Sequence, residues 1–447
     1  MIGKKPQLVV VGLDGATWDV LTPLLEQGKL PAIQRLLEQG RSGALRSVIP
    51  PITGPAWATI LTGSNPGEHG IFEMTVFDER LGRRRPISVQ DWKASPLWEQ
   101  LNSRGLSTGL LCVPFTFPPP RVNGWIISGI MGTPKYAPRM FSPPALHDEI
   151  TGIAGEFPLA APVRYEGRFP MDVLQGQIDW IHRAAVHLLE HQPVDVFMVV
   201  ENFTDHVCHF FLQSRTHDHA GERIDLVEHV YRACDSLIAA IRERVGEETP
   251  ILVLSDHGFT PLKGHLNLGV ALAEESAGEI KRVSAVRALW RVARRVLPFG
   301  LSERIRRPMK RARPTLHVGG VGGYGSIFTA VEDVRDLEQR LAEIRDPDSG
   351  QPLIEFHRAE ELYHGRSMAQ APVAVALPAE GWQTKLAAPR DGALLTGPKW
   401  VGEHEGTHAL DGVVLSAGFA EGDPLPTNLE GVLGYVLQQC VGDGAPH

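Results

Sequence analysis

The sequence predicts an α/β fold built on a mostly parallel sheet covered on both faces, and three observations carry the prediction. Short, almost wholly apolar runs recur along the chain, bounded by Gly, Pro, Ser or Asp. Amphipathic stretches of helical period separate them, as crossovers between parallel strands require. The chain of 447 residues, 43% hydrophobic and 21% charged, can bury a large rigid core around one sheet with insertions. In such sheets ligands sit beyond the carboxyl ends of the strands, so chemistry is sought on that rim.

Taken in order, the strands are Leu8 to Leu13, Leu106 to Val113, Gly124 to Ser128, Val194 to Val200, Ile251 to Ser255 and Val413 to Leu415. Helical patterns fill Pro31 to Gln39, Ile178 to Glu190 and Arg223 to Val245. The whole chain, 1–447, reads as one domain with cap insertions at about 114–170 and 270–325. The first is rich in Pro, Gly and aromatics, which suggests irregular chain near the mouth of a site. Within the second, Ile280 to Arg313 is strongly basic, with Arg287, Arg291, Arg294, Arg295, Arg304, Arg306, Arg307 and Arg311 interleaved with apolar residues. That segment reads as a solvated cap helix, or as a surface giving weak contact with anionic membranes. No internal repeat or low-complexity tract is evident.

A net charge of -8 argues against a nucleic-acid polymer as partner. The four cysteines are widely spaced and form no C-x-x-C pair, which fits a reducing compartment. The apolar run after Lys4 and Lys5 is too short for a signal or membrane segment. The expectation is a cytoplasmic protein.

Five segments carry candidate chemistry. Thr53, within Pro50-Pro51-Ile52-Thr53-Gly54-Pro55, stands where a helix N-cap belongs, with Gly63 suited to end the helix. A hydroxyl there meets free amides and the positive end of the helix dipole, a setting that favours a phosphate oxygen. Taken alone, such a threonine merely caps a helix. Asp14 follows the first strand, and the glycines of a dinucleotide fold are absent around it. Asp256 and His257, followed by Gly258, close the apolar strand from Ile251, and a turn at the glycine lets both side chains converge. Asp205 and His209, four residues apart, share one face of a helix and can grip one ion, while His206 points elsewhere. Last, the glycine-framed loop before Val413 offers an imidazole, with His408 the better candidate and His404 the runner-up. Together the three aspartates, the histidines and Thr53 supply two mixed nitrogen and oxygen sites on one rim. The donor set favours Zn2+, with Mn2+ as the alternative.

These residues resemble the alkaline phosphatase superfamily and, within it, the type I phosphodiesterase/nucleotide pyrophosphatase branch and its bacterial phosphohydrolase and phosphomutase relatives. The resemblance runs through Leu13-Asp14-Gly15, Thr53-Gly54-Pro55-Ala56-Trp57, Thr62 to Ile71, Asp205 to His209, Ser255 to Gly258 and Gly406-Thr407-His408. It implies an alkaline phosphatase-like three-layer sandwich. It also implies two divalent cations, one held by Asp205, His209 and His408, the other by Asp14, Asp256, His257 and the Thr53 oxygen. The implied activity is phosphodiester or pyrophosphate cleavage of a small phosphate ester or nucleotide through a phosphothreonine. The Gly54 amide would act as a further donor to the phosphoryl group. Phosphomonoesterase and phosphomutase activities are the alternatives, and a metal-stabilised protein that binds membranes or a partner through its basic segment is the non-enzyme reading. The sequence departs from the branch at Phe72-Glu73-Met74, where an Asn that helps bind the phosphoryl oxygen is often found. His69 reads as structural, setting the turn after the Thr53 helix.

Overall fold

The structure, a computed structural model, describes residues 4–78, 83–129, 131, 133, 136–158, 171–214, 216–217, 223–271, 317–318, 323–328, 334–385, 393–397, 404–420 and 424–441. Ten of its strands matter here. They are β1 (Leu8–Leu13), β2 (Gly40–Arg46), β3 (Thr108–Val113), β4 (Gly124–Ser128), β5 (Phe141–Ser142), β6 (Val196–Glu201), β7 (Ile251–Leu254), β8 (Gly258–Pro261), β9 (Gly406–Ala409) and β10 (Asp411–Ala417). An eight-stranded sheet runs in the order β2-β10-β7-β1-β6-β3-β4-β5. Strands β7, β1, β6, β3 and β4 pair in parallel, whereas β10 is antiparallel to both its neighbours and β5 is antiparallel to β4.

Every residue of β1, β3, β6 and β7 is buried, as strands covered on both faces must be. The period of two divides their side chains between two cores. Val9, Val11 and Leu13 face α1 (Trp18–Glu26), α2 (Pro31–Gln39), α4 (Met171–His191) and α6 (Leu226–Val245). Leu8 and Val10 face α3 (Thr53–Thr62) and α7 (Glu430–Val441). The α/β class and the three layers expected from the sequence are therefore the observed ones. Between β6 and α6 lies α5 (Phe203–Phe211). Helix α6 starts later than its pattern suggested, because Asp225 caps it by accepting from the Glu228 amide at 3.0 Å.

The stretch at 114–170 contains the strand expected at Gly124 to Ser128. Its described part supplies β4, β5 and the helix Leu146–Ala154 at the far edge of the sheet, because Trp125, Ile126 and Ile127 form a buried strand against β3. The other insertion is larger than expected from 270–325. It leaves the core after β8 and returns at β9, and carries a four-stranded sheet of His317–Val318, Gly325–Ile327, Ala374–Pro378 and Ile354–Arg358. A three-stranded sheet of Trp382–Lys385, Gly264–Asn267 and Leu395–Thr396 completes it. The basic segment 280–313 lies outside the described residues. Among the described residues, no helix is long and apolar enough to cross a membrane.

Candidate active site

The carboxyl ends of β1, β6 and β7 lie side by side, and the candidate residues leave the sheet there. Asp14 follows β1 directly, and its Oδ2 accepts from Trp57 Nε1 of α3 at 3.3 Å. Trp57 reaches it across Gly12, where a Cβ would stand 2.4 Å from the indole. Gly15 then turns the chain with φ of 68°, the left-handed region that suits glycine, and its amide donates to Asp256 Oδ1 at 3.1 Å. Asp205 and His209 share one face of α5 as the spacing required, with His209 Nε2 3.4 Å from Asp205 Oδ1. His206 packs instead on Phe210.

His257 and His408 come from β8 and β9 and the turn before them, an antiparallel pair in which Phe259 stands opposite His408. His408 Nδ1 lies 2.7 Å from the Pro51 carbonyl and His257 Nδ1 lies 3.1 Å from the Gly258 carbonyl. A carbonyl only accepts, so both imidazoles carry their hydrogen on Nδ1 and turn an Nε2 lone pair inward. His257 Nε2 is 3.6 Å from Asp14 Oδ1, 3.5 Å from Asp256 Oδ2 and 3.8 Å from Asp205 Oδ1. His408 Nε2 is 3.2 Å from Asp205 Oδ1 and 3.0 Å from His209 Nε2. Two groups result, Asp205 with His257 and His408, and Asp14 with Asp256 and His257, the ligand atoms of each lying within 4.8 Å of one another. His209 adjoins the first group, and His257 faces both. His404 packs on the His209 ring at 4.8 Å and stands outside these groups.

The chemistry of the donors fits cations. Asp14 Oδ1, Asp205 Oδ1, Asp256 Oδ2 and His257 Nε2 are buried and have no hydrogen-bond partner among the described residues. Orphaned buried acceptors are costly, and four that face one another are what a bound cation satisfies. Protein charge alone does not balance them. Burial, then the charges of Asp256 and Asp205, holds the Asp14 carboxyl well above its ordinary value. Burial first, with the Asp205 charge, raises Asp256 to about 7. Burial also acts upward on Asp205, yet His209 and His408 outweigh it and hold that carboxyl low. Burial depresses His209 and His257, so their nitrogens stay neutral and available.

Thr53 is the first residue of α3 and is 3% exposed; Ile52 takes the N-cap position expected for Thr53, and no side chain caps this end. That leaves the Thr53 hydroxyl uncommitted to capping. Gly63 ends the helix in the left-handed conformation, as expected. The helix start is tied to the cluster twice, through Pro51 to His408 and through Trp57 to Asp14. The Gly54 amide meets the Met74 sulfur at 3.2 Å, a weak acceptor. His69 lies beyond the helix: its Nδ1 accepts from the Ile71 amide at 3.1 Å in the turn, and its Nε2 contacts Thr59 Oγ1 of α3 at 3.0 Å.

Sequence reasoning passed over several supports. Thr204 Oγ1 donates to the Asp14 carbonyl, and Ser255 Oγ donates to the Ala16 carbonyl at 2.9 Å while accepting from Val413 at 2.8 Å. Tyr324 of the cap donates to the His408 carbonyl at 2.9 Å. A cavity of about 780 Å³ between α4 and α6 contains none of the cluster residues.

The fold and the cluster define an α/β protein whose central sheet carries, at its carboxyl rim, two groups of carboxylate and imidazole donors of the kind that hold cations. Comparison with known proteins narrows this. The family model of type I phosphodiesterase/nucleotide pyrophosphatase matches residues 8–410, and the chain belongs to that family. A stretch of 116 residues is 27% identical to ectonucleotide pyrophosphatase/phosphodiesterase family member 3 of Bos taurus, covering 23% of this chain and 12% of that protein. Among solved structures, phosphonoacetate hydrolase from Sinorhizobium meliloti 1021, in complex with phosphonoformate, superposes with a TM-score of 0.65 at 14% identity, over 98% of each chain. Murine ectonucleotide pyrophosphatase/phosphodiesterase 5 follows with a TM-score of 0.54 at 14% identity, over 99% of this chain and 97% of the other. At that identity the two structures share the fold.

Proposed function

We propose that the protein is a two-metal phosphoesterase that cleaves a small phosphodiester or pyrophosphate with Thr53 as nucleophile. The observation that carries the proposal is the set of orphaned carboxylate and imidazole atoms gathered beside the start of α3. Asp205, His209 and His408 would hold one cation, and Asp14, Asp256, His257 and the Thr53 oxygen the other. Mixed nitrogen and oxygen donors favour Zn2+. When bound, the cations supply Lewis acidity that lowers the Thr53 hydroxyl pKa and neutralises charge on the phosphoryl oxygens.

Thr53 Oγ1 forms a bond to phosphorus, the bond from phosphorus to the ester oxygen breaks, and that oxygen leaves with a proton. Water then cleaves the phosphothreonine and returns the hydroxyl. The Gly54 amide exchanges its weak sulfur contact for a phosphoryl oxygen, a donor whose loss from such a site costs about a hundredfold in rate. An inactive threonine-to-alanine variant of the murine protein, in complex with AMP, supports both the nucleophile and a nucleotide-like substrate. The buried free thiols of Cys112, Cys208 and Cys234 fit a reducing cytoplasm.

The test is a panel of p-nitrophenyl phosphate mono- and diesters run on zinc-loaded protein and on Thr53→Ala, with metal content measured on both. The variant is expected to hold its metal and lose turnover. Wild-type rates in Thr53→Ala would overturn the assignment, and the ranking of the esters separates diesterase from monoesterase or mutase chemistry.

A further inference from the structure

The three imidazoles of the cluster are not held alike. His408 and His257 each donate from Nδ1 to a backbone carbonyl, which fixes tautomer and ring orientation. His209 differs: its Nε2 faces Asp205 and His408, yet its Nδ1 is buried with no hydrogen-bond partner among the described residues. Its ring packs against Phe259 and His404, with both centroids at 4.8 Å. An imidazole without a bonded second nitrogen takes its aim from packing and from its own backbone. The His209 backbone lies in the last turn of α5.

The last four carbonyls of a helix have no partner within it. That of His209 is one of them, and the Glu405 amide donates to it at 2.7 Å. The Glu405 side chain, 2% exposed, holds the residues that follow the same helix: its Oε2 accepts from the Gln213 amide at 3.2 Å and its Oε1 from the Ser214 hydroxyl at 2.6 Å. The Glu405 carbonyl accepts from Gln213 Nε2 at 2.7 Å and from the Leu262 amide at 2.8 Å. One residue thus ties the end of α5 to the chain on either side of the cap, three positions before His408. The fit is tight, since a Cβ on the next residue, Gly406, would stand 2.4 Å from the Cys208 carbonyl. Glu405 itself lies outside both donor groups.

We infer that Glu405 is a positioning residue for the cation assigned to Asp205, His209 and His408. It aims the His209 imidazole by fixing the helix end, and it leaves the cation of Asp14 and Asp256 unaffected. The inference rests on the two-metal reading of the site and adds to it a residue that acts without touching metal or substrate.

Zinc titration of the metal-free full chain against a fluorescent chelator tests it. Wild type is expected to bind two ions. Glu405→Ala should bind one ion as wild type does and the other about 10- to 100-fold more weakly, the usual scale for losing a partner that orients a ligand. Glu405→Gln should stay within about threefold of wild type, because its amide oxygen still accepts from Gln213 and its amide nitrogen donates to the Ser214 hydroxyl, which can also accept. Equal weakening of both ions, two unchanged ions in a folded Glu405→Ala, or a Glu405→Gln as weak as Glu405→Ala would overturn the inference while leaving the two-metal reading intact. Should Glu405→Ala fail to fold, Ser214→Ala decides. A loss of about fivefold at one ion, the scale of one hydrogen bond, supports the inference, and two unchanged ions refute it. Wild type that binds fewer than two ions would overturn the two-metal reading, and the inference with it.

Discussion

His408 donates the hydrogen on its Nδ1 to the carbonyl of Pro51 at 2.7 Å, and this bond joins the imidazole facing Asp205 to the loop that leads into Thr53. One peptide carbonyl thus fixes both the tautomer of a candidate ligand and the approach of the candidate nucleophile. The same division of labour recurs at Trp57 and Asp14, where it is open to mutation.

Trp57→Phe keeps the ring that packs across Gly12 and removes only the N–H that meets Asp14 Oδ2. Metal affinity is expected to fall by about 10- to 100-fold, the usual effect of losing a partner that orients a ligand. Competition against a fluorescent zinc chelator measures it. An unshifted competition curve would show that the bond does not orient the carboxylate.

The metal-free protein should lose stability as pH rises from about 6.5 to about 8. Asp256, raised to about 7 by burial first, and Glu201, raised by burial to about 8, bind protons in the folded state that the unfolded chain has already released. Asp14, also raised, adds to the loss. Groups raised in this way stabilise fully at low pH, and the contribution vanishes as pH passes through the folded value. The depressed His209 and His257 act oppositely, but only below about 6.5, where the unfolded chain would protonate them. The loss is on the order of 2 kcal/mol over the window, from roughly 1.4 kcal/mol per unit for each proton. Urea unfolding in chelator at several pH values reads it. Glu201→Gln should shrink the slope and zinc should remove the share that comes from Asp256 and Asp14; a stability that rises across this window would contradict the account.

His69→Ala strands the Ile71 amide and the Thr59 hydroxyl in a site with no exposure. The expected cost is about 2–4 kcal/mol, from two buried groups left unsatisfied. Burial depresses this imidazole to about 3, so it remains neutral and the cost should not vary between pH 6 and 8. Chemical denaturation at both pH values checks this, with metal stoichiometry as the control that the cluster survives.

Gly15→Ala puts a Cβ 2.7 Å from the Phe259 ring and 3.2 Å from the Asp205 Cα, at a φ of 68°. The left-handed backbone costs about 1–2 kcal/mol before any clash is relieved. Because the same residue donates to Asp256, the substitution should also lower the number of zinc ions bound per chain, read by elemental analysis after dialysis. Full occupancy in a stably folded variant would separate the turn from the cluster.

Much of the sheet was legible because its central strands are continuous apolar runs, and the carboxylates that follow β1 and β7, Asp14 and Asp256, stand out in a single sequence. Asp205 and His209 were legible for a different reason, since helical spacing alone puts them on one face. Strand β2 was not, because Gly40–Arg46 is mostly exposed and takes its register from long-range pairing with β10. The choice between His404 and His408 also depended on pairing. His408 stands opposite Phe259 on β9, which turns it into the cluster, and no local pattern encodes that. Pro51 contributes a backbone carbonyl, which has no residue signature at all. The N-cap expected at Thr53 fell to Ile52, a shift of one position that local propensity does not resolve.

The cap departs from the core at Pro261 and rejoins it at Gly406, two residues paired directly across β8 and β9. Its entry and exit are therefore neighbours, and the chain between them closes on itself without drawing on the sheet that carries the three aspartates. A segment joined this way can be lengthened, shortened or exchanged as a cassette at little entropic penalty to the scaffold. New substrate ranges could then arise on a fixed reaction centre by grafting at this stalk.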